Sequence, residues 1–348
     1  MDRQPRAVDA GEGVTDAVIR IVEAGECPED FAAAEPEDHR FLRAFQAAGI
    51  GDFRFGYLLV YRNEVRVSVV PYFTTEYRMN TLVTHVWLKH LLAPLRFRVA
   101  CVGHPSTDQG RIEGEISAEV LQAVNGVLRD KGAAIAYKWF AEALPLDGFV
   151  EVDGLPINML FAGGDYPAAL SRNVRKNVLR KLRKSAALEF SAYTPDNPLP
   201  VEAIDEVYAL YGNTAARADL QFEELNADYF RLTAPISSYL IARENGRMIG
   251  FVQWLRKGAR MSGKYVGMDY TRNRQFDLYF GMVLQSILRG VAGGVREFDL
   301  GVGSYYSKRM IGAVQRPTRL YFRHHNAFVQ ALLKRCKFLL EPSAEELA

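Results

Sequence analysis

Three pairs of matching segments occur in the same order along this chain, and that internal repeat limits the possible folds more than any single motif. Tyr57–Pro71 reads YLLVYRNEVRVSVVP and Tyr239–Gln253 reads YLIARENGRMIGFVQ. Each is a β-rich run, a polar turn at Asn63 or at Asn245-Gly246, and a second β-rich run, which predicts a hairpin. Cys101–Arg111 (CVGHPSTDQGR) then matches Tyr265–Gln275 (YVGMDYTRNRQ), an apolar strand end followed by Val-Gly and a polar loop that leads to a helix. Val127–Phe140 matches Ile287–Leu300 as the end of a helix, a glycine stop and a strand. The offsets of 182, 164 and 160 residues shrink mostly where the first half carries the extra Tyr72–Arg98 segment. Any α/β protein would give one such match; three in order predict two α/β units in tandem.

A chain of 348 residues suits two units of ordinary size. Helices are expected at Ala17–Glu23 and at Asp38–Ala48, the latter opened by Pro36 and closed by Gly49. Pro200–Ala216 and Asn226–Thr233 play the same part before the second hairpin; Ile204, Val207, Leu210 and Tyr211 keep a helical period. Pro, Asp and Asn cluster in Thr194–Pro200, and a basic helix, Ser171–Ala186, precedes them. The expected division is therefore 1–170, a linking helix and linker at 171–198, and 199–348.

Apolar residues at 49% and charged residues at 24% describe a globular chain with a substantial core. The net charge of +2 hides a bias, with acids crowded into the first forty positions and Lys and Arg concentrated in 172–184 and 309–337. Cys27, Cys101 and Cys336 show no metal or disulfide spacing, which suits reduced thiols and a cytoplasmic location. No apolar run is long enough to span a membrane, and the N-terminal residues lack a signal-peptide core. Leu82–Leu95 is read as a packed insertion helix in preference to an amphipathic surface helix. His324-His325 has no third ligand at metal spacing, so no metal is expected. Gly-x-Ser-x-Gly, Walker and Rossmann signatures are missing.

Phe298–Ala313, FDLGVGSYYSKRMIGA, has a strand ending in Asp-x-Gly, a tyrosine-bearing loop, a lysine and a Gly-Ala. Leu170–Ser185, LSRNVRKNVLRKLRKS, is an Arg/Lys-rich helix between the halves. With the repeated order of elements, these segments make the chain resemble the GNAT acyltransferase superfamily and, within it, the FemAB-like branch of tandem GNAT proteins. The resemblance implies a mixed α/β fold of two GNAT-like units, with the second catalytic. The first unit lacks the lysine motif after its Tyr137–Phe140 strand and is expected to shape the acceptor cleft, with His104 and Asp108 on its loop.

The chain departs from the family at one place. Acetyl-CoA-dependent members carry Gln/Arg-x-x-Gly-x-Gly/Ala after the fourth strand, where backbone N–H groups hold the pyrophosphate. Here the loop reads TRNRQFDLYFGM, with Gly281 alone. Arg272 and Arg274 are the expected phosphate contacts, with Val266 and Gly267 as the other donor-binding candidates.

For the chemistry, Lys308 is expected beside the reacting carbonyl, as the resemblance implies. Asp299 either receives the acceptor's proton or caps the glycine-rich loop after it, and Tyr305 or Tyr306 is a candidate to protonate the leaving group. Asp269 and Tyr270 are expected to line the same cleft. The basic helix, through residues such as Arg175 and Arg180, holds seven cations in thirteen residues with no acid among them. It suits CoA phosphates, a phosphorylated acceptor or a tRNA backbone. Three functions remain open at this point. One is an N-acyltransferase using acyl-CoA or an acyl carrier protein on a small-molecule or cell-envelope precursor. The others are an aminoacyltransferase using aminoacyl-tRNA, and a non-catalytic binding protein.

Overall fold

The computed structural model describes residues 18–78, 96–217, 223–342 and 347. The expected Leu82–Leu95 helix lies outside them. The first half lays down strands β1 (Ile19–Ala24), β2 (Arg54–Arg62), β3 (Val65–Arg78), β4 (Arg96–Val102), β5 (Glu113–Gly114), β6 (Ala134–Phe140) and β7 (Val150–Asp153). Helices α1 (His39–Ala47) and α2 (Ala118–Leu128) lie between them. There follow β8 (Ile157–Phe161), α3 (Tyr166–Ala169), α4 (Arg172–Lys184), β9 (Glu189–Tyr193), α5 (Ile204–Ala215) and α6 (Ala227–Thr233). The second repeat supplies β10 (Ser238–Glu244), β11 (Arg247–Lys257), β12 (Arg260–Met268), α7 (Tyr270–Phe276), α8 (Leu278–Ala292) and β13 (Glu297–Asp299). The chain continues through α9 (Tyr305–Arg309), β14 (Val314–Arg316), β15 (Arg319–His324) and α10 (Ala327–Arg335).

Both expected hairpins form. Asn63 and Glu64 (φ 48° and 63°) turn β2 into β3, and Asn245 and Gly246 (φ 51° and 79°) turn β10 into β11. Two successive left-handed residues give a turn whose twist matches that of the flanking strands. In each unit the hairpin's second strand pairs antiparallel with a third, which pairs parallel with a fourth: β3 with β4 and β4 with β6, then β11 with β12 and β12 with β13. The repeat seen in the sequence is this four-strand unit.

The two sheets nevertheless exchange strands. One has the order β1-β2-β3-β4-β6-β15-β7, with β5 on β3; the other has β14-β8-β13-β12-β11-β10-β9. Thus β8, from before the linking helix, completes the C-terminal sheet, and β15, from near the end of the chain, completes the N-terminal sheet. Neither strand sits where a linear division of the chain would put it. The sequence also predicts a helix at Ala17–Glu23, whereas residues 19–24 form β1, whose Ile19 and Ile21 turn toward the core. Ile19 and Ile21 alternate with the exposed Arg20 and Val22, a period of two that is a strand's.

Helix α1 shows how the units are joined. The Asp38 side chain caps it by accepting from Arg40 N, and Gly49 leaves it at φ 64°. Its buried Phe41 and Phe45 meet Tyr229 of α6 edge-on, at 6.4 and 5.9 Å between ring centroids. Tyr57 of the first hairpin and Tyr239 and Phe251 of the second belong to the same core cluster. Helices from both units therefore share one core beside the cleft.

Candidate functional site

The cleft opens where β12 and β13 part. They pair over only three residues each, Arg260 with Glu297, Met261 with Phe298 and Ser262 with Asp299, whereas β12 continues to Met268. Asp299 ends β13, and its carboxylate accepts the Gly301 N–H at 2.7 Å. The loop beyond it has Gly301 and Gly303 at φ 75° and 71°, a conformation that glycine adopts without steric penalty. Three donors converge on one carbonyl there. Gly301 O accepts from Asn158 N at 3.1 Å, Asn158 Nδ2 at 2.8 Å and Lys308 Nζ at 3.1 Å. The exchanged strand β8 thus fixes the loop that follows β13.

A cavity of about 220 Å³ lies over Asp299. Its C-terminal wall includes Met159, Arg260, Ser262, Glu297 and Arg316; its N-terminal wall includes Glu35, Glu37, His104, Gln109 and Arg111. Both units therefore build it. Lys264, almost fully buried, crosses between them by pairing with Glu37 and donating to Ser106 O at 2.7 Å. Ser262 Oγ also donates to Glu37, at 3.2 Å. Lys138 holds the N-terminal loop from below, its ammonium donating to His104 O, Pro105 O and Thr107 O at 3.3, 2.7 and 3.2 Å. Asp108 on that loop comes so near Gly301 that a methyl group there would lie 2.9 Å from its Oδ2.

Enclosing these charges moves their protons. Burial raises the Asp299 carboxyl to about 7, and the negative charges of Asp108 and Glu37 add to the effect. Burial also lowers the Lys308 ammonium to about 8, although Asp108 and Asp299 act against it. Burial would lower Lys264 too, but Glu37, Asp108 and Asp299 outweigh it and raise the group overall. His104 is held neutral by burial and by Lys138 and Lys264. The site thus has a carboxyl and an amine that both titrate near neutrality, which suits proton transfer at that pH.

The predicted site residues are distributed unevenly. Asp299 lines the cavity. Lys308 is 6% exposed behind the loop, where it donates to Gly301 O and, at 2.9 Å, to Val302 O, which leaves one N–H unspent. It is not the solvated lysine that its neighbour Arg309 would suggest. Tyr305 is buried, Tyr306 is 63% exposed, and neither lines the cavity.

The residues expected to bind a donor, and Asp269 and Tyr270 expected to line the cleft, make the following contacts. A backbone at Gly267 lies against α5, where a methyl group would come within 2.6 Å of the backbone of Leu210 and Tyr211, and Val266 pairs with Val252. Asp269 caps α7, accepting from Thr271 N and Oγ1 at 3.0 and 2.6 Å, while Arg217 stacks 4.2 Å over the Tyr270 ring. Arg272 pairs with Glu244 at 3.1 Å, and Arg274 offers its carbonyl to Lys184 at 2.5 Å. The expected phosphate loop is itself helix α7, followed by left-handed Asp277 and then α8. Gly281 lies inside α8, where its missing side chain lets the helix approach Ser185; a methyl group would be 2.6 Å from Ser185 Cβ. Asp277 places a carboxylate at the head of α8, with Arg180, Lys181 and Lys184 at 3.7, 3.9 and 3.6 Å. Asn273 Oδ1 accepts the Tyr279 N–H there at 3.2 Å. Arg175 is exposed on α4.

Glu35, Glu37, Lys264 and Arg260 are the members of the site that sequence reasoning missed. The crowding of acids in the first forty residues was the only signal for Glu35 and Glu37, whose partners Arg260 and Lys264 lie more than 220 positions away. Among the described residues, no group of three His, Cys, Asp or Glu is placed to hold a metal, and no helix is long and apolar enough to cross a membrane.

Residues 172–309 match the family described as the acetyltransferase (GNAT) domain, a span that runs from the start of α4 to the end of α9. No curated protein matches the chain. Among solved structures, FemX is 10% identical with a TM-score of 0.54, over 85% of this chain and 93% of that one. The C-terminal domain of a putative lysylphosphatidylglycerol synthetase from Agrobacterium fabrum is 12% identical with a TM-score of 0.52, over 79% and 86%. A tandem GNAT protein from the clavulanic acid biosynthesis pathway is 11% identical with a TM-score of 0.51, over 89% and 99%. At such identities the likeness is one of fold, and it extends over both sheets. Residues 172–309 thus match the acetyltransferase (GNAT) domain, and the chain as a whole has the fold of tandem GNAT proteins.

Proposed function

We propose that this protein transfers an acyl group to an amine held in the cavity over Asp299. The observation that carries the proposal is a carboxyl raised to about 7 on the cavity floor, at the point where the parallel strands part. An acceptor enters as an ammonium, and its nitrogen must shed a proton before it can attack. Asp299 takes that proton. The nitrogen then bonds to the acyl carbon, the bond from that carbon to its carrier oxygen or sulfur breaks, and the leaving atom receives the second proton shed by the nitrogen. Lys308 holds the Gly301 loop in place by donating to Gly301 O and Val302 O, which fixes the backbone beside Asp299.

Three donors were open on the sequence, acyl-CoA, an acyl carrier protein and aminoacyl-tRNA, and the geometry after β12 supports the last over the first. A CoA pyrophosphate needs free N–H groups and positive potential at the head of α8. Here Asn273 accepts one of those N–H groups, and the Asp277 carboxylate already occupies the neighbourhood of the nearest cations. These residues do not fit a pyrophosphate. Arg172, Arg175, Lys176 and Arg183 of α4, by contrast, are exposed along one helix. That surface supports an aminoacyl ester carried on tRNA as the donor, since a polyanion needs a row of cations and no glycine cradle.

The test supplies nuclease-treated enzyme with a small-molecule cell extract and either radiolabelled acetyl-CoA or a radiolabelled pool of aminoacyl-tRNA. Label is expected to move to an amide product only from the tRNA, and not with Asp299→Asn. Transfer from acetyl-CoA overturns the donor assignment. Equal transfer by the wild type and the variant overturns the role of Asp299, and no transfer from either donor favours a binding protein.

A further inference from the structure

Between Asp299 and Glu341 the chain has no acidic residue, against eight lysines and arginines. Lys308 and Arg316 of that run belong to the site described above. Most of the remainder follows β15 to the other end of the N-terminal sheet, where α10 packs on that strand. Asn326 caps α10 by accepting from Phe328 N and Val329 N, and none of the helix is fully buried. Val329, Gln330, Leu333 and Cys336 are half-buried on its inner side, and its other residues are exposed.

That outer face is not the polar one expected of a surface helix. Phe328 is 79% exposed, Leu332 one turn on is 52% exposed, and Phe338 just past the helix is 64% exposed. At 3.6 residues per turn Arg335 falls beside Phe328 and Leu332, with Lys334 flanking them. Lys337 adjoins Phe338. More cations gather from neighbouring strands. Val99 of β4 and His324 of β15 both pair with Ala134, so the exposed Arg96, Arg98 and Arg323 lie at this same end. The Phe97 ring is 5.9 Å from His324. Arg129 is exposed nearby, and the acids of this end, Asp52, Glu76, Asp130, Asp147 and Glu341, are outnumbered by Arg96, Arg98, Arg129, Arg323, Lys334, Arg335 and Lys337.

We propose that α10 and the basic end of the N-terminal sheet form a docking surface for the anionic face of a lipid bilayer. Phenylalanines and a leucine on one helical face, rimmed by lysine and arginine, are the combination that inserts side chains below charged headgroups while pairing with them. A nucleic-acid duplex would use the cations and leave the aliphatic and aromatic side chains in water. From Arg319, three residues past the cavity-lining Arg316, β15 runs about 17 Å to His324. Docking at that end would therefore leave the cavity's mouth clear of the membrane.

The test is flotation of the full chain with phosphatidylcholine vesicles, with and without a quarter of phosphatidylglycerol. Binding is expected only with phosphatidylglycerol and is expected to fall as salt is raised. Phe328→Ser with Leu332→Ser should reduce it at least about tenfold, and so should Lys334→Glu with Arg335→Glu and Lys337→Glu. These positions are exposed, so unchanged melting temperatures would show that the variants fold. Failure to bind phosphatidylglycerol vesicles overturns the proposal, as does equal binding to neutral ones. Binding that survives Phe328→Ser with Leu332→Ser marks a site for polyanions and overturns it too, as does a wild-type dimer that this variant dissolves without any vesicle binding.

Discussion

Replacing Asp299 by asparagine should stabilise the protein at pH 8 while removing its activity. The ordinary carboxyl titrates near 3.8, and burial with Asp108 and Glu37 raises this one to about 7. At 1.36 kcal/mol per unit, keeping it ionised in the folded state costs roughly 4 kcal/mol. Water entering the cavity and relaxation of the charged neighbours reduce that, so a gain of about 2 kcal/mol is the working figure. The sign follows from proton uptake. Between about 4 and 7 the folded protein binds the proton and the unfolded chain does not, so wild-type stability from this group is complete below the unfolded value and is lost as pH rises through 7. Asparagine does not titrate and lacks that slope, yet its Oδ1 can still accept the Gly301 N–H. Urea unfolding of both proteins at pH 5 and pH 8 should show the variant's advantage growing with pH, while transfer falls by about 10²–10⁴-fold. A variant less stable than wild type at pH 8, or a difference independent of pH, would refute the electrostatic account.

Other substitutions test the walls. Gly301→Ala forces a side chain into φ 75° and to within 2.9 Å of Asp108, so a loss of about 1–3 kcal/mol in thermal unfolding is expected, with reduced transfer. Glu37→Gln leaves the buried Lys264 without its nearest charge and should cost about 3 kcal/mol in urea unfolding, and methionine at Lys264 in the same chain should restore part of it. Arg175→Glu with Lys176→Glu should weaken tRNA binding in filter assays and flatten its salt dependence by about two units of slope, without changing the melting temperature.

The sequence revealed what local chemistry controls. Asn63 and Asn245-Gly246 name their turns, and Asp38, Asn226 and Gly49 mark helix ends that the structure keeps. Some local signals were present and went unread. The alternation of Ile19, Arg20 and Ile21 is a strand's, and Asp269 before Thr271 is a helix cap, which makes TRNRQF a helix and not an open phosphate loop. Beyond the two hairpins, strand partners were not legible. Ile157–Phe161 reads as a strand, but its apolar period says nothing about which of two open sheet edges it joins, because backbone pairing is blind to side-chain identity. The ion pairs from Glu35 and Glu37 to the C-terminal sheet depend on that packing and were hidden for the same reason.

The exchange of strands also decides what the smallest working unit is. The family match spans residues 172–309, which contain Asp299 and Lys308 and would pass for the catalytic domain. Expressed alone, that span lacks β8, so Gly301 O keeps Lys308 and loses both donors from Asn158. It also lacks β14, which lies outside β8, and β13 would then be an open edge with an unpaired row of N–H and C=O groups. Lys264 would lose Glu37 and Ser106, and α6 would expose the Tyr229 face that α1 covers. Each loss removes packing or hydrogen bonds that residues 172–309 cannot replace. The isolated span should therefore unfold without a cooperative transition and show little amide protection in the Gly301 loop, whereas a chain beginning at residue 18 should retain both. If residues 172–309 instead gave a sharp melt and protected that loop, β8 would be an accessory of the site, and Asn158 could be removed without loss.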